Sequence, residues 1–575
     1  MLVKNPLYTL AMNESGGGAA AGGGATSNGS SSNSNSSKHN LEAQEEAILD
    51  GYVAANFQIG HGTYSVVRCW KHKSSEALHA IKTFSYANLD SKRMMMVMNE
   101  CLCLIRMDAL RQVEDLLLAS GGGAGAGAAA GGGWNRFENV FCNDKTQEFC
   151  VALSFAKGGL LFDALNEGKF SKDTQQQKQQ QSRIPDEDKI LRVFERLTSV
   201  VAAMERYCVT HRDLKLENVM YHEKSEGVTL VDFGFARSTE TSGNYMTGSQ
   251  RDVYNGCECS ACTQLLVQQL LGVGYISCEQ AVEYARENPT IIKCIRLLVH
   301  HMRIIMYLTH TIHAESREFL EYLRSNMDTT TAGGGRGYSF CGYIHALSRR
   351  IRRKHELVKQ SVQDIKSVLE TYNYQQRMSL HSSIQPIAVD GTGAAGDCCD
   401  DGEHHHHSLL VIFDSFLKSL KLEKRRDNCG SPHYTAPEVL LITETIMGTA
   451  RDVWSLGVIL YSLLEYVFPF DVPEHLYEKS QTRQYVLELN SIIITEHVRP
   501  ASPRLSHRSK ALLRHLLDKK PQKRPSASSI LRDYFSPSKQ QQQHENGYDN
   551  SSSNNTEVDN DDNDSVFLVT HDLSL

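Results

Sequence analysis

The segment His211-Arg-Asp213-Leu-Lys215-Leu-Glu-Asn218 is followed, fourteen residues after Asn218, by Asp232-Phe233-Gly234. Two carboxylates and an amide thus recur at short spacing, each in a break between strand-like runs. The set suits a metal–phosphate site. One carboxylate orients a hydroxyl, while the other and the Asn oxygen supply the hard ligands that Mg²⁺ takes. Upstream, Gly60-His-Gly62-Thr-Tyr-Ser65-Val-Val67 joins two strand-like runs. Its glycines let a backbone approach phosphates and aim N–H groups at them. A hairpin using glycine merely to turn reads the same way, so this motif gains weight only from its company. Lys82, in His79-Ala-Ile-Lys82, lies fifteen residues after Val67.

Around these motifs, structured blocks alternate with low complexity. The 575 residues allow two to four domains at about 100–200 residues each. Residues 13–39 are rich in Gly, Ala, Ser and Asn, and 536–565 run through Gln, Ser, Asn and Asp, so both ends are expected to be disordered. Similar tracts interrupt the middle at 121–133, 175–181 and 388–407. Between them, 51–84 alternates as strands do. Pro185 and Asp186 open a periodic run from Ile190 to Tyr207. Residues 261–378 are helical in pattern, with a capping box at Ser277-Cys-Glu-Gln280, a break at Pro289, and long helices over Thr290–Asn326 and Ile344–Arg377. Residues 436–535 are helical again. Strands first and helices after indicate an α+β architecture.

Charge and apolarity exclude whole classes. Net charge is -7, and residues 541–575 hold eight acidic residues and no Lys or Arg, which leaves the other 540 residues at +1. A globally basic nucleic-acid binder is excluded. The most apolar stretch, Ile291–Leu308, contains Lys293, Arg296, His300, His301 and Arg303, too polar for a membrane span. Fifteen scattered cysteines, with no signal-peptide pattern in MLVKNPLYTL, point to free thiols in a cytoplasmic setting. The basic run Arg349-Arg-Ile-Arg-Arg-Lys354 admits a nuclear one, although a solvated helix face explains it as well.

In the order Gly-rich loop, Lys82, Glu100, His-Arg-Asp213, Asp232-Phe-Gly and Ala436-Pro-Glu438, the chain resembles the eukaryotic protein kinases. Cys429-Gly-Ser-Pro-His-Tyr-Thr-Ala-Pro-Glu438 and Asp213-Leu-Lys-Leu-Glu-Asn218 are similar to the calmodulin-dependent/AMP-activated group of serine/threonine kinases. The resemblance implies a bilobal fold, with a β-rich small lobe and an α-helical large lobe, that uses ATP and Mg²⁺ to phosphorylate protein Ser or Thr. It implies that the loop Ile59, Gly60, His61, Gly62, Thr63, Tyr64 and Ser65 covers the ATP phosphates, while Val67 and Ala80 pack on adenine. Ser154 to Ala156 would present hinge backbone after the gatekeeper Leu153. Lys82 would hold the α- and β-phosphates and pair with Glu100. Asp213 would orient the substrate hydroxyl, and Lys215, which marks Ser/Thr specificity, would neutralise the phosphoryl group. Asn218 and Asp232 would bind Mg²⁺, and Ser431 would bond to Asp213 and Lys215. Glu438–Arg524 would form a buried ion pair, and Asp452 would brace the catalytic loop.

The departures are as informative. Ser65 replaces the third loop glycine, and Leu160 stands where the family has a Glu that contacts ribose and basic substrates. Asp232 and Glu438 lie 206 residues apart, where the family needs a few tens. The expected organisation is an N-terminal segment 1–50, kinase parts 51–239 and 426–535, an inserted helical module 240–425, and an acidic tail 536–575. Loop-closure cost grows only logarithmically, so such an insertion is tolerable if its ends lie close together on the large lobe. Its helices are expected to pack on each other beside that lobe and to take a regulatory partner. Asp427 stands where related kinases carry an activating phosphothreonine, and would pair with Arg212. Glu217 and Glu478 fall where basophilic relatives recognise substrate Arg. Cys257, Cys259, Cys262 and Cys278 are candidate thiolate ligands without the paired spacing of a zinc site. The rival reading is a pseudokinase scaffold acting through the insertion; a scaffold has no chemical need for Lys82, Glu100, Asp213, Asn218 and Asp232 together.

Overall fold

The computed structural model describes residues 48–49, 51–61, 65–120, 133–172, 184–238, 259–271, 275–310, 340–381, 407–419, 429–441, 448–473, 475–476 and 483–536. Both terminal segments expected to be disordered lie outside these residues, apart from 48–49 and 536.

The alternating block forms strands β1 (Ile48–Leu49), β2 (Tyr52–His61), β3 (Val66–His72) and β4 (Leu78–Ser85). They join β5 (Phe137–Asn143) and β6 (Glu148–Ser154) in an antiparallel sheet of order β1-β2-β3-β4-β6-β5. Val67 pairs with Lys82, Cys69 with Ala80, Ala80 with Leu153 and Lys82 with Val151. Cross-strand partners share a face, so this register puts Val67, Ala80, Lys82 and Leu153 on one side of the sheet. Helix α1 (Ser91–Ser120) joins β4 to β5 and is 30 residues long, stopping where the poly-Gly tract begins.

The large lobe begins with β7 (Gly159–Leu160), α2 (Leu161–Asn166) and α3 (Glu187–Arg206). Helix α3 starts as its sequence requires. Asp186 caps it by accepting from Lys189 N, and Glu187 and Asp188 complement the helix dipole in the first turn. Its buried stripe includes Ile190, Val193, Phe194, Leu197, Val201 and Met204, at helical spacing. Strands β8 (Val209–Thr210), β9 (Val219–His222), β10 (Gly227–Leu230) and β11 (Arg237–Ser238) follow; β9 pairs with β10 and β8 with β11.

The inserted helices are α4 (Ser260–Leu271), α5 (Cys278–Glu287), α6 (Pro289–Leu308), α7 (Phe340–His381) and α8 (His407–Ser419). Ser277 and Gln280 form the expected capping box at α5, and Pro289 opens α6 at its first turn. Both ends of the insertion lie outside the described residues, but described residues near either end reach β8 and its neighbour Cys208. Ser238 pairs with Val209, and Cys208 Sγ donates to Leu417 O at 3.9 Å. The module's position differs from expectation. Helices α6 and α7 pack together and against α1, and α7 also lies on β5, so they cover the small lobe. Ser348 Oγ donates to Val140 O at 3.2 Å, and the His355 ring meets Phe137 edge-on at 4.9 Å. The reason is that α1 offers an apolar back, which these helices bury. The large lobe closes with α9 (Pro437–Leu440), α10 (Gly448–Glu465), α11 (Arg483–Thr495), α12 (His507–Leu516) and α13 (Ala527–Ile530).

Candidate active site between the lobes

Lys82 is the junction of the cleft. From β4 its Nζ lies 3.0 Å from Glu100 Oε2 on α1 and 2.8 Å from Asp232 Oδ1. Burial alone would lower the ammonium's pKa, but the two carboxylates more than offset it and raise it. Lys82 in turn holds Asp232 well below the usual carboxylate range. Glu100 is buried, and its pairing partner is the one the sequence assigned.

A second cluster gathers on the catalytic loop. Asp213 Oδ1 accepts from Ser431 N at 2.8 Å and Ser431 Oγ at 2.9 Å. Lys215 Nζ sits 3.0 Å from both Asp213 Oδ2 and Ser431 Oγ. Asn218 Nδ2 donates to Asp213 O at 2.8 Å, which leaves its Oδ1 as the atom available to a cation. The loop backbone is held in a costly shape. Arg212 has φ 73° and Asp232 φ 61°, left-handed values that non-glycine residues adopt mainly at functional sites. Asp452, on α10, supports the first of these by accepting from His211 N at 2.7 Å and Arg212 N at 2.9 Å. Burial lowers the His211 pKa and keeps the ring neutral, consistent with Nε2–H donating to Val231 O and Nδ1 accepting from Asp213 N. Phe233 is buried edge-on against that ring at 4.9 Å.

The remaining candidates are placed unequally. Ile59, Gly60 and His61 end β2, with Gly60 paired to Val67, and Ser65 is buried just ahead of β3. Gly62, Thr63, Tyr64, Asp427, Glu478 and Cys257 lie outside the described residues. Ser154 donates its N–H to Arg136 O at 2.8 Å, so that group is committed away from any ligand, and Ala156 follows half-buried. Cys278 donates to Gln264 Oε1, and among the described residues no three metal-ligating side chains gather. Two further residues matter here that no motif singles out. Arg451 donates to Cys429 O at 2.6 Å and Arg212 O at 3.4 Å, tying the end of the activation segment, which runs from Asp232 to Glu438, to the catalytic loop. Its only signal was adjacency to Asp452. The other is Arg106, whose signal was a lone cation in the apolar run of α1.

The family described as protein kinase domain matches residues 54–259 and 413–536, more than half of the chain. The chain belongs to the protein kinase family. The match passes over 260–412, the stretch that carries α4 to α7 and the start of α8. Tribbles homolog 1 of Mus musculus is 39% identical over 107 residues, 18% of this chain and 25% of that protein. Calcium-dependent protein kinase 9 of Oryza sativa subsp. japonica is 38% identical over 109 residues, 19% and 17% respectively. The probable serine/threonine-protein kinase PLK of Dictyostelium discoideum is 34% identical over 118 residues, 20% and 10%. These matches span a quarter or less of each relative. As a kinase-family chain it has the bilobal fold, and among its described residues no helix is long and apolar enough to cross a membrane.

Proposed function

We propose that the chain is an ATP-dependent serine/threonine protein kinase, formed by residues 51–239 and 426–535 around the insertion 240–425. The carrying observation is that Lys82 joins Glu100 and Asp232 while Asp213, Lys215, Asn218 and Ser431 form one bonded cluster beside them. In this reading Lys82 orients the α- and β-phosphates, and Glu100 and Asp232 fix its ammonium in place. Asp213, oriented by Ser431 and Asn218, takes the proton of a substrate hydroxyl, and Lys215 faces the charge of the transferring group. Such catalysis is mainly positioning plus charge stabilisation.

The donors fit Mg²⁺, which takes one or two protein carboxylates plus phosphate oxygens. Asp232 and the Asn218 amide oxygen would hold it, and it would neutralise phosphate charge. Similarity to calcium-dependent protein kinase 9, with the wording of Cys429–Glu438, supports the calmodulin-dependent/AMP-activated grouping. Glu217, beside Lys215, supports a preference for substrates with an upstream Arg, weakened by the loss of an acidic residue at Leu160.

The deciding experiment is transfer from radiolabelled ATP to a degenerate peptide array, with Asp213→Asn as control. Label on Ser and Thr that the variant abolishes is the expected result. A purified protein that binds no nucleotide and labels nothing would leave the scaffold reading in place.

A further inference from the structure

The middle of helix α1 is covered on every side. Nine consecutive residues, Asn99–Met107, are buried, which is more than two full turns. A helix buried on all faces has neighbours all round. Here they include β5 of the small lobe and the inserted α6, α7 and α8.

Arg106 lies inside that enclosure at 0% exposure. Its Nε donates to Thr309 Oγ1 at 3.0 Å, and its Nη2 to Met306 O at 3.1 Å. Both acceptors belong to the end of α6, where the last carbonyls lack helical partners and carry the negative end of the dipole. Arg106 therefore serves as the C-terminal cap of a helix that lies 200 residues further along the chain. The same terminus reaches the segment after Asp232, because Ser238 Oγ donates to Thr309 O at 3.3 Å. Ser238 in turn pairs with Val209, just ahead of the catalytic loop. One helix end thus touches both the element that carries Glu100 and the strand that follows Asp232.

Taking the kinase reading above as its basis, we propose that Arg106 is a positioning residue for phosphoryl transfer. By capping α6 it locks α1 where Glu100 meets Lys82, so that the insertion is a built-in clamp on that helix. Glu100 and Arg106 lie about 9 Å apart along the helix axis, so a rigid α1 transmits the constraint directly. Burying a guanidinium is costly, and desolvation pulls the Arg106 pKa down to about 10. An apolar side chain would fill the space without that cost, but it could not single out one helix end.

The test uses the full chain with Arg106→Met and Thr309→Val. Hydrogen exchange is followed in peptides covering Asn99–Met107, with Trp454–Leu464 of the large lobe as reference, alongside kcat and KM for ATP. Both variants are expected to speed exchange in α1 at least tenfold, leave the reference unchanged, and lower kcat by about ten- to a hundredfold. In a Glu100→Gln background Arg106→Met should then cost less than a further twofold, since the pair it supports is already broken. Unchanged α1 exchange, a uniform rise in both regions for both variants, or full additivity with Glu100→Gln overturns the positioning role. Wild-type transfer no greater than that of Asp213→Asn sinks the kinase reading itself, and the positioning role with it.

Discussion

Arg524 donates to both carboxylate oxygens of Glu438, at 2.7 and 2.8 Å, across 86 residues of sequence and with almost no exposure. It also donates to Ala450 O and Asp518 O, so one guanidinium ties the end of the activation segment to the base of the large lobe. Removing Glu438 leaves a buried charge unpaired. Glu438→Ala should therefore cost about 3–5 kcal/mol, and Arg524→Lys should also destabilise because an ammonium lacks the fork that both oxygens require. Thermal unfolding is the measurement; a Glu438→Ala Tm equal to wild type would contradict it.

Asp452 makes a different kind of prediction. Its two oxygens hold the N–H groups of His211 and Arg212, and Arg212 sits in a left-handed conformation that the chain would otherwise leave. Asp452→Ala should lower kcat by about a hundredfold through displacement of Asp213. Nucleotide affinity, which the proposed function assigns to Lys82 across the cleft, should change little. Steady-state kinetics with nucleotide titration separates the two, and a loss confined to affinity would argue against the assignment.

Gly158, after the hinge, has φ 102°, and a Cβ there would run into the Tyr221 carbonyl. Backbone cannot give way as a flexible side chain can. Gly158→Ala should cost upwards of about 1–3 kcal/mol, while Gly159→Ala, next to it in open space, should cost little. Paired denaturation curves decide it.

Glu217 sets a pH dependence. Burial raises its carboxyl to about 7 from an ordinary 4.5, with Lys215 pulling against the shift. Between those values the native state keeps a proton that the unfolded chain has released, so stability present at low pH is lost as pH rises toward 7. Wild type should thus lose stability relative to Glu217→Gln from about pH 5 to about pH 8. The proposed recognition of a substrate Arg by Glu217 needs the ionised form, so KM for Arg-bearing peptides should fall from about pH 6 to about pH 8, a trend that Glu217→Gln should flatten. A flat profile in the wild type would remove Glu217 from substrate choice.

What could be read in advance was whatever is carried by local pattern. The helix start at Asp186, the Ser277–Gln280 box and the meeting of Lys82 with Glu100 follow from residues whose partners are fixed by short spacing or by the kinase resemblance. Helix limits were read less well. The helix expected over Ile344–Arg377 runs from Phe340 to His381, and that expected from Thr290 to Asn326 is described from Pro289 to Leu308. The docking of α6 and α7 is not legible in the sequence, because an apolar stripe says that a helix must be covered without saying by what. A clue did exist in Glu100-Cys-Leu-Cys-Leu-Ile-Arg-Met107, where seven residues after the Glu include a single charged one. A helix with no polar face needs a cover on its outer side, and the insertion was the unassigned material long enough to provide it.

The tethering of α6 and α7 at both ends has a consequence for control. A separate subunit that braced α1 would dissociate on dilution, and its occupancy would track its abundance. A brace threaded through the same chain has an effective concentration set by its links, so occupancy is first-order and indifferent to protein level. Any signal that loosens it has to compete for the buried contact, modify it, or cut the chain. Changing the amount of protein in the cell would leave the proportion of braced molecules where it was.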